Sequence, residues 1–220
     1  MGKLKLFFSK LLDFIYKKKC YFCGKSHESV KMCSKCYDSL EFANYHAERI
    51  ILCSDVYVAG VYEKNLQKMI RGLKYHRQKE LAYYQAKFMW EYFKKLIEVN
   101  NITEDFQVIP VPLYKTRQKD RGYNHMELVA KEFCNLSGYE LNTKLIKRVK
   151  NTKAQYRLTR IERMTNLKDA FEVSLYDFIP NKSVLLLDDI CTTGSTFEAM
   201  IISLRSEGIK NITCLATSAP

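Results

Sequence analysis

Val184-Leu185-Leu186-Leu187-Asp188-Asp189-Ile190-Cys191-Thr192-Thr193-Gly194-Ser195-Thr196 is the stretch on which the reading of this chain turns. Four consecutive apolar residues without polar alternation suit a strand covered on both faces, as in the middle of a parallel sheet. The chain then leaves the carboxyl end of that strand, where ligands of open α/β sheets bind. The Thr/Gly/Ser turn and the helical pattern over residues 195–206 put hydroxyls and backbone N–H groups at a helix start, which is an anion site. Gly194 allows close backbone approach. Two adjacent carboxylates would repel a phosphate, so Asp188 and Asp189 do not belong to the phosphate site itself. They suit diol hydroxyls, which donate hydrogen bonds, or a magnesium ion.

Working outward, the pattern alternates between strands and helices. Residues 211–217 form a last strand after Gly208, and residues 107–112 form another short apolar run. Residues 55–62 alternate like a strand, and residues 145–149 and 170–173 are short strand candidates. Residues 64–75, 80–99 and 123–136 carry helical periodicity, the last with Gly138 as its cap. Strands of this kind alternating with helices predict an α/β fold, a parallel sheet with helices on both faces. Residues 150–168 are polar and basic without clear period, and read as a long loop or a frayed helix.

The amino-terminal part is different. Cys20-x-x-Cys23 and Cys33-x-x-Cys36 stand nine residues apart. A CxxC turn lets two thiolates converge on one ion, and two such turns supply the four ligands of a tetrahedral zinc site. Two disulfides or a redox pair are the competing readings. His27 can replace a thiolate. With four protein ligands the site is closed, hence structural rather than catalytic. Ahead of it, residues 4–15 space Leu4, Phe7, Phe8, Leu11, Leu12 and Ile15 as an amphipathic helix, which packs on its own protein or lies on a membrane surface. The expected division is therefore residues 1–50, a helix plus a four-cysteine zinc module, and residues 51–220, the α/β domain.

Charge narrows the partners. The chain of 220 residues has a formal net charge of +12 and four prolines. A basic balance of this size calls for an anionic partner: nucleic acid, anionic lipid or a polyphosphate ligand. No window is apolar for the length a membrane span needs. Lys10 and Asp13 interrupt the first apolar stretch and no small-residue cleavage site follows it, so a cytoplasmic location is expected. The eight cysteines agree with a reducing compartment.

The segment 184–196 resembles the phosphoribosyl-pyrophosphate loop of type I phosphoribosyltransferases over all thirteen positions. The resemblance implies that Asp188 and Asp189 contact the ribose hydroxyls and that Thr192, Thr193, Gly194, Ser195 and Thr196 hold the 5′-phosphate, with magnesium carried by the ligand. Where purine-salvage members have an aspartate that handles a base proton, Thr192 stands here, so a 6-oxopurine is not the expected acceptor.

Further stretches resemble the ComF family of competence proteins: Ile70-Arg71-Gly72-Leu73-Lys74-Tyr75; Val111-Pro112-Leu113 with Arg117 and Arg121-Gly122-Tyr123-Asn124; and Asn151-Thr152-Lys153-Ala154-Gln155 leading to Arg160, Arg163, Asn166 and Ala170-Phe171. With the cysteine module, the resemblance runs from about residue 20 to the end. It implies a role in DNA uptake during natural transformation, with single-stranded DNA and an uptake helicase as partners. His125 stands where that family more often has Gln. The Val111–Tyr114 stretch lacks the glycines of a pyrophosphate loop, and Lys115, Arg117 and Arg121 are the side chains that can supply charge instead.

Residues 144–163 carry eight Lys/Arg against one acid. Lys150, Lys153, Arg157, Arg160 and Arg163 suit a lid closing on pyrophosphate, a groove tracking a nucleic-acid backbone, or a solvated loop. Residues 64–79 form a second basic stretch without acids. Three functions fit: a DNA-uptake protein whose domain binds phosphoribosyl pyrophosphate or a nucleic-acid phosphate, a working phosphoribosyltransferase with an unidentified acceptor, and a ligand-gated regulatory protein.

Overall fold

A computed structural model describes residues 19–26, 30–150 and 170–220. The N-terminal helix expected over residues 4–15, His27, and the basic residues Lys153, Arg157, Arg160 and Arg163 lie outside the described residues.

The chain forms two compact units, residues 1–41 and 42–220. The division falls upstream of the boundary expected at residues 50/51, because the intervening segment is built into the larger unit. Ala43 N–H donates to Ala59 O at 2.8 Å. Phe42 stacks on Phe88 and Tyr45 on Tyr92, with ring centroids 4.7 and 5.1 Å apart. The residues ahead of β2 also include a strand, β1 (Arg49–Ile51), antiparallel to β2 (Ser54–Val61). In the smaller unit the described elements are one short helix, α1 (Ser34–Tyr37), and a bridge between Lys19 and Ser26.

In the larger unit the elements alternate as their hydrophobic patterns require. After β2 come α2 (Lys64–Tyr75), α3 (Leu81–Asn100), β3 (Phe106–Pro110), α4 (Lys115–Arg121), α5 (His125–Ser137) and β4 (Glu140–Leu141). Then follow β5 (Ile146–Arg148), β6 (Phe171–Val173), β7 (Ser183–Ile190), α6 (Ser195–Ser206) and β8 (Ile212–Ala219). The main sheet has the order β1-β2-β8-β7-β3-β4 and is parallel except at β1. The apolar run that opens β7 is its centre, flanked by β8 and β3. This is the α/β class the sequence predicts.

Alternate residues of each strand feed two cores. Val56 and Val58, Ile109, Val184 and Leu186, and Cys214 and Ala216 share one face with Phe197, Met200, Ile201 and Leu204 of α6. The same core takes Ile146 and Phe171, from the antiparallel pair β5–β6. On the other face α3 packs against β2 and β8, and α5 against β3 and β7. Phe93 is fully buried there, 5.6 Å from the Phe106 ring and 6.1 Å from Phe133. The sheet is thus apolar on both sides, which is why its central strands show no polar alternation.

Gly138 closes α5 in the left-handed conformation at φ 80°, as its position predicts. Asn124 caps the other end, its side chain accepting from Met126 N–H at 3.0 Å. The helix α4 was not expected. It has seven residues and none is buried, so no apolar stripe announces it.

Replacing Phe93 by Ala should remove the aromatic contact that ties α3 to β3 and α5. It is expected to lower unfolding free energy by about 3–5 kcal/mol, read from urea denaturation followed by circular dichroism.

Candidate functional site

At the carboxyl end of β7 the chain carries Asp188 and Asp189 out of the core. Asp189 is buried and Asp188 half-buried. The neighbouring strand pins this exit: Cys191 N–H donates to Ser218 O at 2.8 Å, and the Ser218 hydroxyl donates to Asp189 O at 3.2 Å. The loop then turns through Gly194, at φ 80°, into α6. Thr193 Oγ1 and Ser195 Oγ lie 2.8 Å apart. Asp188, Thr192, Thr193, Gly194, Ser195 and Thr196 share one concave pocket. Six of the seven residues expected to form the loop site therefore line one pocket, and Asp189 turns inward.

Gly194 suits its position because its φ disfavours any side chain, and a Cβ there would also oblige the Cδ1 end of Ile51 to move. The β1–β2 hairpin thus lies against the loop, and Arg49 Nη1 donates to Thr192 O at 3.1 Å. Sequence reasoning missed this hairpin. Its turn, Leu52-Cys53, takes positive φ without the Gly or Asn that would have announced it.

Asp189 is held from two sides. Lys74 of α2 places Nζ 2.7 Å from Asp189 Oδ2, and His125 Nε2 bonds the same oxygen. Arg121 Nη1 meets His125 Nδ1 at 2.5 Å. A guanidinium only donates, so Nδ1 accepts and the proton of the neutral imidazole sits on Nε2, pointing at Asp189. Burial drives His125 toward that neutral form, although Asp189 pulls the other way. Burial alone would raise the Asp189 pKa. Lys74 and His125 outweigh it and hold the carboxyl well below the usual range. Asp189 also keeps the half-buried Lys74 charged.

Asp188 behaves oppositely. Burial and the neighbouring Asp189 charge push its carboxyl up to about 7. The pair therefore resolves into one committed carboxylate and one whose charge changes near neutral pH. Asp188 is the member available to a ligand.

The cations expected around the site separate on inspection. Arg121 faces His125 rather than the loop, and burial lowers its pKa. Arg117 is half-buried on α4, while Lys115 is exposed there. Lys150 is exposed just after β5. One cation absent from the expected set is Arg148. It is buried on β5, 5.6 Å from the Phe171 ring. Burial and Arg117 bring its pKa down to about 10, against the pull of Asp188. Arg117, Arg148 and Asp188 thus share one electrostatic neighbourhood. Its signal in sequence was poor, because β5 is three residues long and paired across residues 149–170.

In the smaller unit, the sulfurs of Cys20, Cys23, Cys33 and Cys36 all lie within 4.8 Å of one another, with Cys23 and Cys33 at 3.9 Å. Four ligands at about 2.3 Å from a tetrahedral ion would sit about 3.8 Å apart. The cluster can hold a metal ion. Burial would raise the Cys20 pKa, but the backbone around Cys23, Cys33 and Phe22 brings it down to about 6. Burial and the other three sulfurs push Cys36 up to about 12. Four thiolates this close need a cation to coexist, so full deprotonation of the cluster would go with a bound metal.

No family model matches the chain. Over 199 residues it is 29% identical to competence protein F of Haemophilus influenzae, spanning 88% of this chain and 86% of that protein. It is 27% identical over 149 residues to the DNA utilization protein YhgH of Salmonella typhi, covering 68% of this chain and 62% of that one. With YhgH of Escherichia coli K12 the identity is 25% over 135 residues. These similarities bear out the ComF resemblance. Among solved structures, a hypoxanthine phosphoribosyltransferase from Staphylococcus aureus aligns with a TM-score of 0.37 at 13% identity, covering 61% of this chain and 62% of that one. An adenine phosphoribosyltransferase from Thermoanaerobacter pseudethanolicus aligns with a TM-score of 0.34 at 12% identity, covering 61% and 79%.

Lys74→Met leaves Asp189 buried without its cation and should cost about 3–5 kcal/mol at neutral pH. A carboxyl with a depressed folded-state pKa stabilises the fold above the usual carboxylate range and loses that contribution as pH falls. The deficit of the variant relative to wild type should accordingly shrink on acidification, measured by denaturant titrations across pH. A separate test concerns the cysteines. Native protein should carry about one zinc per chain by elemental analysis. Chelation should open residues 19–41 to hydrogen exchange while the α/β unit keeps its protection.

Proposed function

We propose that this chain is a ComF-like competence protein that binds phosphoribosyl pyrophosphate with magnesium at the Asp188–Thr196 loop. In this reading Thr192, Thr193, Gly194, Ser195 and Thr196 receive the 5′-phosphate, and Asp188 takes the ribose hydroxyls or the metal. Arg117 and Arg148 provide charge for the pyrophosphate, with Lys115 at the exposed end of α4. Asp189 and Arg121 act behind this layer, through Lys74 and His125. The residues fit magnesium arriving with its ligand, since that ion typically takes one or two carboxylates plus substrate phosphates. Bound there, magnesium would neutralise pyrophosphate charge.

The observation that carries the reading is the joining of one available carboxylate to an anion-binding turn. Asp188 and the hydroxyls and N–H groups at the start of α6 line the same pocket. Thr192 is exposed there, and its hydroxyl does not exchange protons at neutral pH as a general base would. Binding of phosphoribosyl pyrophosphate is therefore what we assign, and a 6-oxopurine is not its acceptor. The relatives named for competence and DNA utilization support a part in handling incoming DNA. With that part go a cytoplasmic location and, as partners, single-stranded DNA and an uptake helicase. Among the described residues no helix is long and apolar enough to cross a membrane. The cysteine cluster is assigned to structural zinc.

Thermal unfolding with phosphoribosyl pyrophosphate and magnesium tests the site. At 100 times its dissociation constant the ligand should stabilise wild type by about 2.7 kcal/mol. Asp188→Asn should lose that shift and keep its fold. The single variant is the informative one, because a change at Asp189 would strand Lys74. Affinity should also rise as pH passes upward through about 7, since the ionised Asp188 is the form that binds. Equal shifts in wild type and variant, or affinity flat across that range, would refute the assignment.

A further inference from the structure

The side of α2 away from the core has no part in the loop site. Leu66, Met69, Ile70 and Leu73 anchor the helix inward. Lys64, Lys68, Arg71 and Tyr75 follow at helical spacing on the exposed side. By the helical rise this stripe is about 16 Å long. The interval 64–79 contains no acid. At its carboxyl end Tyr75 is 64% exposed. Two guanidinium groups flank that ring, Arg71 and Arg121, each with Cζ 5.9 Å from the centroid. Arg77 is exposed close by in sequence, and Lys79 Nζ lies 4.9 Å from the Tyr123 ring.

An exposed Tyr alone is ordinary; what sets Tyr75 apart is its place at the end of a cationic stripe with two guanidinium groups beside its ring. A free polyphosphate would engage the cations but not the ring, and a lipid interface takes in a belt of aromatic and apolar side chains, whereas here one ring stands at the end of a charged stripe. An unpaired base has both a π-face and a phosphate, and proteins that hold single strands without sequence preference combine stacking rings with a cationic track. A duplex hides its bases and would use only the charges.

We propose that the exposed face of α2, with Tyr75 at its carboxyl end, is a platform for single-stranded nucleic acid. A base stacks on Tyr75 beside the Arg71 and Arg121 guanidinium groups, and the backbone runs along Lys68 and Lys64. This surface rests on the reading of single-stranded DNA as a partner, and it differs from the basic segment 150–163 expected from sequence. The rigid helix fixes the track. Lys74 leaves from the inward side of the same helix to Asp189, so the platform and the loop site share one element.

The test is fluorescence anisotropy of the full chain with an oligothymidylate of about a dozen residues, inside the usual site sizes for such surfaces. An abasic oligomer, a duplex and anionic phospholipid vesicles serve as comparison probes. Tyr75→Ala should weaken oligothymidylate binding about tenfold. It should leave abasic binding unchanged. Lys68→Ala/Arg71→Ala should reduce the slope of log affinity against log salt by about 1.4, two phosphates at about 0.7 each. These residues are exposed, so melting temperatures should match wild type. If wild type binds the oligomer but both variants bind it equally well, the platform is wrong and the DNA reading stands. If wild type does not bind it, both fall. If abasic oligomer or vesicles bind as tightly and Tyr75→Ala weakens none of them, the surface is merely charged and the stacking role is overturned.

Discussion

The end of β7 obeys one constraint: two neighbouring carboxylates leaving a buried strand cannot both ionise unless something neutralises one of them. This chain does so from two directions. Lys74 reaches in from α2, and His125 reaches from the start of α5. Much of the surrounding sequence follows from that need. Asn124 caps α5 and so fixes where its first residue points. Arg121 sets the imidazole tautomer by donating to Nδ1. The Tyr123 hydroxyl donates to Leu73 O at 2.6 Å and ties α2 to the same junction. The stretch Arg121-Gly122-Tyr123-Asn124-His125 is thus a scaffold for one carboxylate, and Asp188 is released for a ligand because Asp189 is not.

Sequence reading did well wherever the determinant is local. A run of apolar residues in β7, the glycine after α5 and the periodicity of α2, α3 and α6 each report their own environment, so their elements could be placed from the chain alone. The paired CxxC turns were equally legible, since each brings its two sulfurs together over four residues. The strand–turn–helix geometry of 188–196 was legible for the same reason, since its parts are consecutive and folding only has to turn the chain once at Gly194.

What stayed hidden depends on pairs distant in sequence. Nothing near Asp189 tells that Lys74 and His125 will share its carboxylate, so the two acids looked equivalent. The β1–β2 hairpin was illegible because its turn residues, Leu52 and Cys53, are not turn formers. What holds it is packing, with Ile51 against Gly194 and Arg49 on the Thr192 carbonyl. Arg148 was one basic residue in a basic stretch until β5 paired with β6 and buried it. The domain boundary erred for a related reason. Phe42 and Tyr45 look like linker residues, but their rings find Phe88 and Tyr92 on α3.

The same distinction bears on the net charge of +12. A formal sum treats every Lys and Arg as available to an anionic partner, and the fold shows otherwise. Lys74 is committed to Asp189, and Lys182 lies between Asp105 and Glu140 at 2.9 and 3.4 Å. Arg148 is buried against Phe171, and Arg121 is divided between His125 and the Tyr75 ring. Subtracting such groups changes where charge is displayed rather than whether it is: Lys182 is spent at the start of β7 and Arg148 near Asp188, whereas Lys64, Lys68 and Arg71 stand exposed at helical spacing along α2.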